Sequence, residues 1–217
     1  IESHDWQAEL YSALALFNRI LHNFCTDVWT YISMNYFKQI PAPGATGSST
    51  MPHKINPIRF ENAESNLEFS NAILDSLANT LVTSRLQRDL TDSSSQRNIG
   101  LGFGHSLLAI DNVLRGLGEL ELSDAVLAAD LGENLEVLGE AIQTVIRAEV
   151  AAGRSKIENP YEILKELTRG KQISADDLAV FINGLDIGDE AKARLLQLKP
   201  RNYIGLAGEL ATYLRRG

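Results

Sequence analysis

The strap Gly47-Ser48-Ser49-Thr50-Met51-Pro52-His53-Lys54-Ile55-Asn56-Pro57 sets two adjacent hydroxyls behind a glycine, then a lysine and an amide six and eight residues after the first serine. Upstream, Pro41-Ala42-Pro43-Gly44-Ala45-Thr46 is too rich in proline and glycine to be helix. A glycine-hinged segment carrying hydroxyls, a cation and an amide suits a lid that closes over an anionic substrate. The same composition also suits a plain polar surface loop. No Asp or Glu occurs from Val28 to Phe60, whereas Lys38, Lys54 and Arg59 do, so the strap is locally positive in a chain of net charge −8. Such a patch is a sensible place to receive carboxylates or phosphate.

A second group of chemistry-bearing residues is Arg88, Ser93 and Arg97, with Arg85 nearby. Guanidinium forks with a hydroxyl between them suit a phosphate, because each fork offers paired donors. Ser93-Ser94-Ser95-Gln96 reads as a helix start, which would add backbone N–H groups and the positive end of a helix dipole. The alternative is a charged bundle end in which these arginines pair with Asp89 and Asp92.

The strap resembles the signature of the fumarase/aspartase superfamily, G-S-S-x-M-P-x-K-x-N, at all seven of its fixed positions from Gly47 to Asn56. Three further stretches are similar to the adenylosuccinate lyase family: Ser84-Arg85-Leu86-Gln87-Arg88-Asp89-Leu90-Thr91-Asp92-Ser93, the segment from Asn159-Pro160-Tyr161-Glu162 to Leu167-Thr168-Arg169-Gly170-Lys171, and Asn202-Tyr203-Ile204-Gly205. The resemblance covers essentially the whole chain but only the C-terminal half of the family's length.

The resemblance implies an all-α fold: a long-helix bundle segment of this superfamily, followed by a smaller helical domain. It implies elimination of fumarate from a succinyl group bonded through nitrogen. That reaction needs a base for the proton beside a carboxylate, an acid for the departing nitrogen, and cations or N–H donors facing the carbanion. By position in the motif, Ser48 is expected to be the base. An ordinary serine is far too weak an acid for this, so closure must surround its alkoxide with Lys54 and backbone N–H groups. Ser49 is expected on a succinyl carboxylate, Lys54 on the developing dianion, and Asn56 on the loop or substrate. By the same resemblance, Arg88 and the run Ser93, Ser94, Ser95, Gln96, Arg97 match residues that hold the nucleotide's phosphate and sugar, and Asn62 matches another contact. His53 falls where superfamily members vary. The family's general acid is a histidine that no residue here matches, so the 217 residues alone are expected to be inactive. The implied substrates are adenylosuccinate and SAICAR. No metal or organic cofactor is implied, and the implied assembly is a homotetramer with shared sites. Two rivals stay open: another fumarate-releasing lyase, such as an argininosuccinate lyase, and a helical scaffold without chemistry.

The elements that must position these groups read as helices. Trp6, Leu10, Leu14, Phe17, Leu21, Phe24, Val28 and Ile32 recur every three or four residues, predicting one helix from Asp5 to about Phe37. Its wide apolar stripe would be left exposed in a monomer. Asn56-Pro57 reads as an N-cap with proline at the first helical position, and this cap is an alternative or additional role for Asn56. The second helix carries Phe60, Ala63, Leu67, Ala72, Leu74, Leu77 and Leu81. A third runs from Ser93 to about Leu117, with Gly100, Gly102 and Gly104 as close-approach positions. Gly116-Leu117-Gly118 is the expected boundary between a bundle segment, 1–117, holding the loop 38–57, and a helical domain, 118–217. The latter is expected to hold short helices over 123–130, 134–152, 160–168, 175–182, 189–196 and 202–215, with Ser174 and Asp177 as a capping-box variant. No strand, repeat or metal-ligand spacing is evident.

The acidic balance argues against nucleic acid or an anionic membrane as partner. No run approaches the ~20 apolar residues of a membrane span. One cysteine, Cys25, forbids an internal disulfide and fits a cytoplasmic setting.

Overall fold

In the computed structural model of the chain, residues 2–40, 56–86, 89–168 and 173–213 are described. They divide into two compact units, residues 1–123 and 124–217.

In the first unit the long apolar periodicity becomes helix α1, Asp5–Ser33. It stops four residues short of the expected Phe37 because Asn35 turns into the left-handed region at φ 60°. The chain then forms a short strand, β1, Phe37–Gln39. Helix α2, Ile58–Leu81, follows the strap. The short helix α3, Thr91–Ser95, and a single 3₁₀ turn, Gln96–Asn98, lead into α4, Ile99–Gly118. Strand β2, Leu120–Leu122, pairs antiparallel with β1, setting Phe37 opposite Leu122 and Gln39 opposite Leu120. The sequence reading missed both strands. At three residues each they are too short to show a period-two pattern.

Helix α2 is the hub, packing on both α1 and α4. Its buried residues Phe60, Ala63, Leu67, Ser70, Leu74, Leu77 and Leu81 alternate in steps of three and four. That is the heptad spacing of near-parallel helix packing. The expected Ala72 is exposed, and Ser70 takes its place on the buried face. Cys25, Val28, Phe60, Ala63, Leu67, Ala109 and Val113 form one core cluster, while Tyr11, Ala15, Leu74, Leu77 and Leu81 form another. The three long helices therefore run alternately up and down. Gly102 and Gly116 are the close-approach glycines: a Cβ would meet Leu74 at 3.1 Å from the first and Phe60 at 2.8 Å from the second. Gly100 and Gly104, expected to share that role, have nothing within 4 Å.

A polar knot ties the three helices at mid-length. Asn18 Nδ2 donates to Ser70 Oγ (2.9 Å) and Asn71 Oδ1 (3.1 Å), Ser106 Oγ donates to Asn18 Oδ1 (2.7 Å), and Ser70 Oγ donates to the Gly102 carbonyl (2.7 Å). Asn18 and Ser70 are wholly buried. Asn18→Ala would remove three hydrogen bonds at the centre of the knot and leave Ser70 and Ser106 only each other (3.1 Å) and the Gly102 carbonyl, so we expect it to destabilise the bundle by about 2–3 kcal/mol, read from denaturant unfolding. Cys25 is also buried, and burial, with Glu64 beside it, pushes its thiol up to about 12. This is the inert, structural cysteine that its place on the helix suggests.

The second unit is a cluster of short helices: α5, Asp124–Glu133; α6, Gly139–Ala151; α7, Pro160–Thr168; α8, Ala175–Gly184; α9, Asp189–Gln197; and α10, Ala207–Tyr213. The expected helix from 202 begins instead at Ala207, after a 3₁₀ turn at Pro200–Asn202 and Gly205 at φ 52°. The capping box of Ser174 and Asp177 is present at the start of α8. The core gathers Leu138, Ile142, Ile146, Leu178, Ile182, Ala191 and Leu195. Glu149 is buried beside it. Its carboxylate accepts from Arg154 (2.6 and 3.1 Å) and from the Gly188 amide (3.1 Å), and the Arg154 bond is the main reason its pKa lies below the ordinary glutamate value. A lowered folded-state pKa contributes stability above the unfolded value and loses it as pH falls through that value to the folded one. Glu149→Gln should therefore lower stability at neutral pH and flatten its loss on acidification, measured by circular dichroism between about pH 7 and pH 3.

Candidate active site

Ser48, Ser49, Lys54 and Arg88 lie outside the described residues, as does most of the strap. Its two flanks are described, and one residue binds both. The Glu119 carbonyl accepts from the Ile40 amide at 2.7 Å, while the Glu119 carboxylate accepts from Arg59 Nη2 at 3.1 Å and Nε at 3.3 Å. The β1–β2 pairing continues this clip on the Ile40 side, and the Ser123 amide donates to the Tyr36 carbonyl at 2.8 Å. Both ends of the strap are thus held against the C-terminal end of α4.

Asn56 does not cap α2. The helix begins at Ile58, its cap position is Pro57, and no side chain there bonds to an amide. The Asn56 carbonyl instead accepts from the Ile58 amide at 2.8 Å. Its exposed side chain is free of the capping role the sequence suggested. Asn62, one turn into α2, is exposed on a cleft of about 490 Å³ lined also by Ile58, Arg59, Leu108, Asp111, Asn112 and Arg115. Around it runs an amide ladder that the sequence did not reveal. Asn112 Nδ2 donates to Asn62 Oδ1 (3.0 Å) and the Leu108 carbonyl (2.9 Å). Asn66 Nδ2 donates to the Asn62 carbonyl (2.8 Å) and Oδ1 (3.1 Å), and His105 Nδ1 lies 2.8 Å from Asn66 Oδ1.

The second group sits at the opposite end of the bundle. Asp92, in α3, lies 3.3 Å from Nε2 of His4, at the very start of α1. Ser93–Ser95 do not start a helix as expected: α3 begins at Thr91, and Asp89 receives the Thr91 amide (2.9 Å) and hydroxyl (2.6 Å). The Ser94 amide is directed to the Leu90 carbonyl. The Thr91 hydroxyl bond, first among several contacts, lowers the pKa of Asp89, which also pairs with Arg85 at 2.7 Å. Of the alternative Arg–Asp pairs, this one forms. Gln96 turns its amide towards His4 Nε2 at 3.4 Å. Ser93, Ser94 and Arg97 are exposed, and Arg97 makes no ion pair among the described residues. An unspent guanidinium beside two open hydroxyls can receive an oxyanion.

The described flanks of the strap and the Ser93–Arg97 turn lie at opposite ends of the bundle. Helix α2 has 24 residues and is about 36 Å long, and Ser93 lies beyond its far end. Eight residues separate Ser48 from Ile40 on one side and from Asn56 on the other, a reach of at most about 28 Å when fully extended. Among the described residues no group of three or more His, Cys, Asp or Glu side chains could hold a metal ion, and no helix is long and apolar enough to cross a membrane.

Comparison with known proteins places this helical frame in a class. Residues 1–68 match the family described as Lyase, in keeping with a bundle of long helices that offers polar residues at its ends. Residues 84–204, more than half of the chain, match the family described as Adenylosuccinate lyase C-terminal. The chain belongs to the adenylosuccinate lyase family. It is 53% identical over 207 residues to the adenylosuccinate lyase of Escherichia coli (strain K12), covering 95% of this chain and 44% of that protein. It is 50% identical over 214 residues to that of Vibrio cholerae, covering 99% and 46%, and 50% identical over 210 residues to that of Legionella pneumophila (strain Corby), covering 97% and 45%. The chain spans less than half the length of the curated relatives it matches.

Proposed function

We propose that the full-length protein is an adenylosuccinate lyase. It converts adenylosuccinate to AMP and fumarate, and SAICAR to AICAR and fumarate, in cytoplasmic purine biosynthesis. The observation that carries this reading is identity of about half over nearly the whole chain to relatives of that name, with the strap signature complete from Gly47 to Asn56. In the reaction Ser48 takes a proton from the carbon beside a succinyl carboxylate. The C–N bond breaks, its electron pair leaves with the nitrogen, and the remaining pair closes the double bond of fumarate. Ser49 holds a carboxylate, Lys54 faces the developing dianion, and Asn56 orients strap or substrate. A general acid from outside these 217 residues protonates the nitrogen. Arg88 and Ser93–Arg97 hold phosphate and sugar, and Asn62 supplies a further contact.

Two features support a homotetramer with sites shared between chains. The first is the separation of the strap's described flanks from the Ser93–Arg97 turn. The second is the apolar face of α1: the expected stripe residues Trp6, Leu10, Phe17 and Phe24 point outward, at 57%, 47%, 47% and 39% exposure, while Tyr11, Ala15, Asn18, Cys25 and Val28 face the bundle. Large exposed apolar faces of this kind are what subunit packing covers. The test is fumarate release. The full-length protein is expected to turn over adenylosuccinate, whereas the 217-residue chain releases none. Turnover of argininosuccinate in its place, or of neither substrate, would overturn the reading.

A further inference from the structure

The amide ladder fixes which way Asn62 can speak to a ligand. The Leu108 and Asn62 carbonyls can only accept hydrogen bonds. The Asn112 atom 2.9 Å from the Leu108 carbonyl is therefore its nitrogen, and that same nitrogen, 3.0 Å from Asn62, requires the Asn62 oxygen opposite it. The Asn66 atom 2.8 Å from the Asn62 carbonyl is likewise nitrogen, and at 3.1 Å it too requires the Asn62 oxygen. Two independent anchors agree, and turning either amide over would set oxygen against oxygen. The remaining end of Asn66 is then its oxygen, so His105 meets it with a protonated Nδ1 at 2.8 Å. Asn62 Oδ1 is doubly engaged, while Asn62 Nδ2 makes no hydrogen bond among the described residues, and the residue is exposed on the cleft.

We infer that Asn62 acts only as a donor, binding a proton-free acceptor of the substrate (a carboxylate or phosphate oxygen, or a ring nitrogen), and that Asn112 and Asn66 are the positioning residues that hold it so. The inference rests on the proposed lyase function for its ligand. Asn112 also lines the cleft, but it is only 8% exposed and its Nδ2 is already engaged by Asn62 Oδ1 and the Leu108 carbonyl, so its polar contact is with Asn62. The sharpest substitution is Asn62→Asp, which keeps the shape and removes both N–H donors.

Steady-state kinetics of the full-length protein with adenylosuccinate test this, and wild-type inactivity would sink the lyase reading itself. With an active wild type, Asn62→Asp should raise KM at least as much as Asn62→Ala, by about tenfold or more. Asn112→Ala should raise KM several-fold with kcat within about twofold, and should have no further effect in an Asn62→Ala background. An Asn62→Asp variant within about twofold of wild type would overturn the donor assignment. An Asn112→Ala effect as large without Asn62 as with it would overturn the positioning role.

Discussion

Ser48→Ala in the full-length protein is expected to lower kcat by about 10²–10⁴, the usual worth of a positioned general base, with little change in KM. The split matters. Ser49, Asn62 and the arginine groups would still bind the substrate's fixed charges, so the ground-state complex survives. On the proposed mechanism, proton removal from a carbon beside a carboxylate has no substitute acceptor, since Lys54 is assigned there as the cation. A Ser49→Ala variant should show the complementary pattern, with KM rising more than kcat falls. If Ser48→Ala left kcat within a few-fold of wild type, the hydroxyl would be no base, and a scaffold reading of the helices would regain its standing.

The second large effect is complementation. If Arg97 holds the phosphate as proposed, Arg97→Ala should cost about 10–100-fold in kcat/KM. Mixed and reassembled with Ser48→Ala subunits, it should recover activity. If each site takes its strap from one chain and its Ser93–Arg97 turn from another, half of the straps and half of the turns are intact. About one quarter of the sites then carry both. The expectation draws on the separation of the described parts: the strap's flanks are held at one end of the bundle by Glu119 and the turn is tied to His4 at the other, with a helix of about 36 Å between them. Activity no greater than the sum of the two separate variants would mean that both groups serve one site from one chain.

The frame of the first unit was legible because α2 repeats apolar residues at heptad spacing and its neighbours share that period. The faces were less so. In α1 the expected residues Leu14, Leu21, Val28 and Ile32 do pack on the core, but Trp6, Leu10, Phe17 and Phe24 are exposed, and Tyr11, Ala15, Asn18 and Cys25 are buried in their place. Bulk is not burial when two sides of a helix have work to do. Ser70 was passed over for Ala72 because a hydroxyl looks polar until the Gly102 carbonyl is set beside it, 32 residues away in sequence. The strap stands out in sequence because its motif is contiguous, and its proposed chemistry rests on that string. The ladder of Asn62, Asn66, His105 and Asn112 was not, since it joins two helices at positions that no local pattern pairs. The same holds for Glu119, whose grip on both flanks of the strap depends on a two-strand pairing with no signature of its own.

A crystal structure of the full-length protein with bound substrate would test the central claim most directly. The account predicts Ser48 Oγ within about 3 Å of the succinyl methylene carbon that loses its proton, Lys54 beside the adjacent carboxylate, and Arg97 of a neighbouring chain on the phosphate. A strap closed over the ligand with Ser48 turned to solvent, or a phosphate bound far from any Ser93–Arg97 turn, would contradict it.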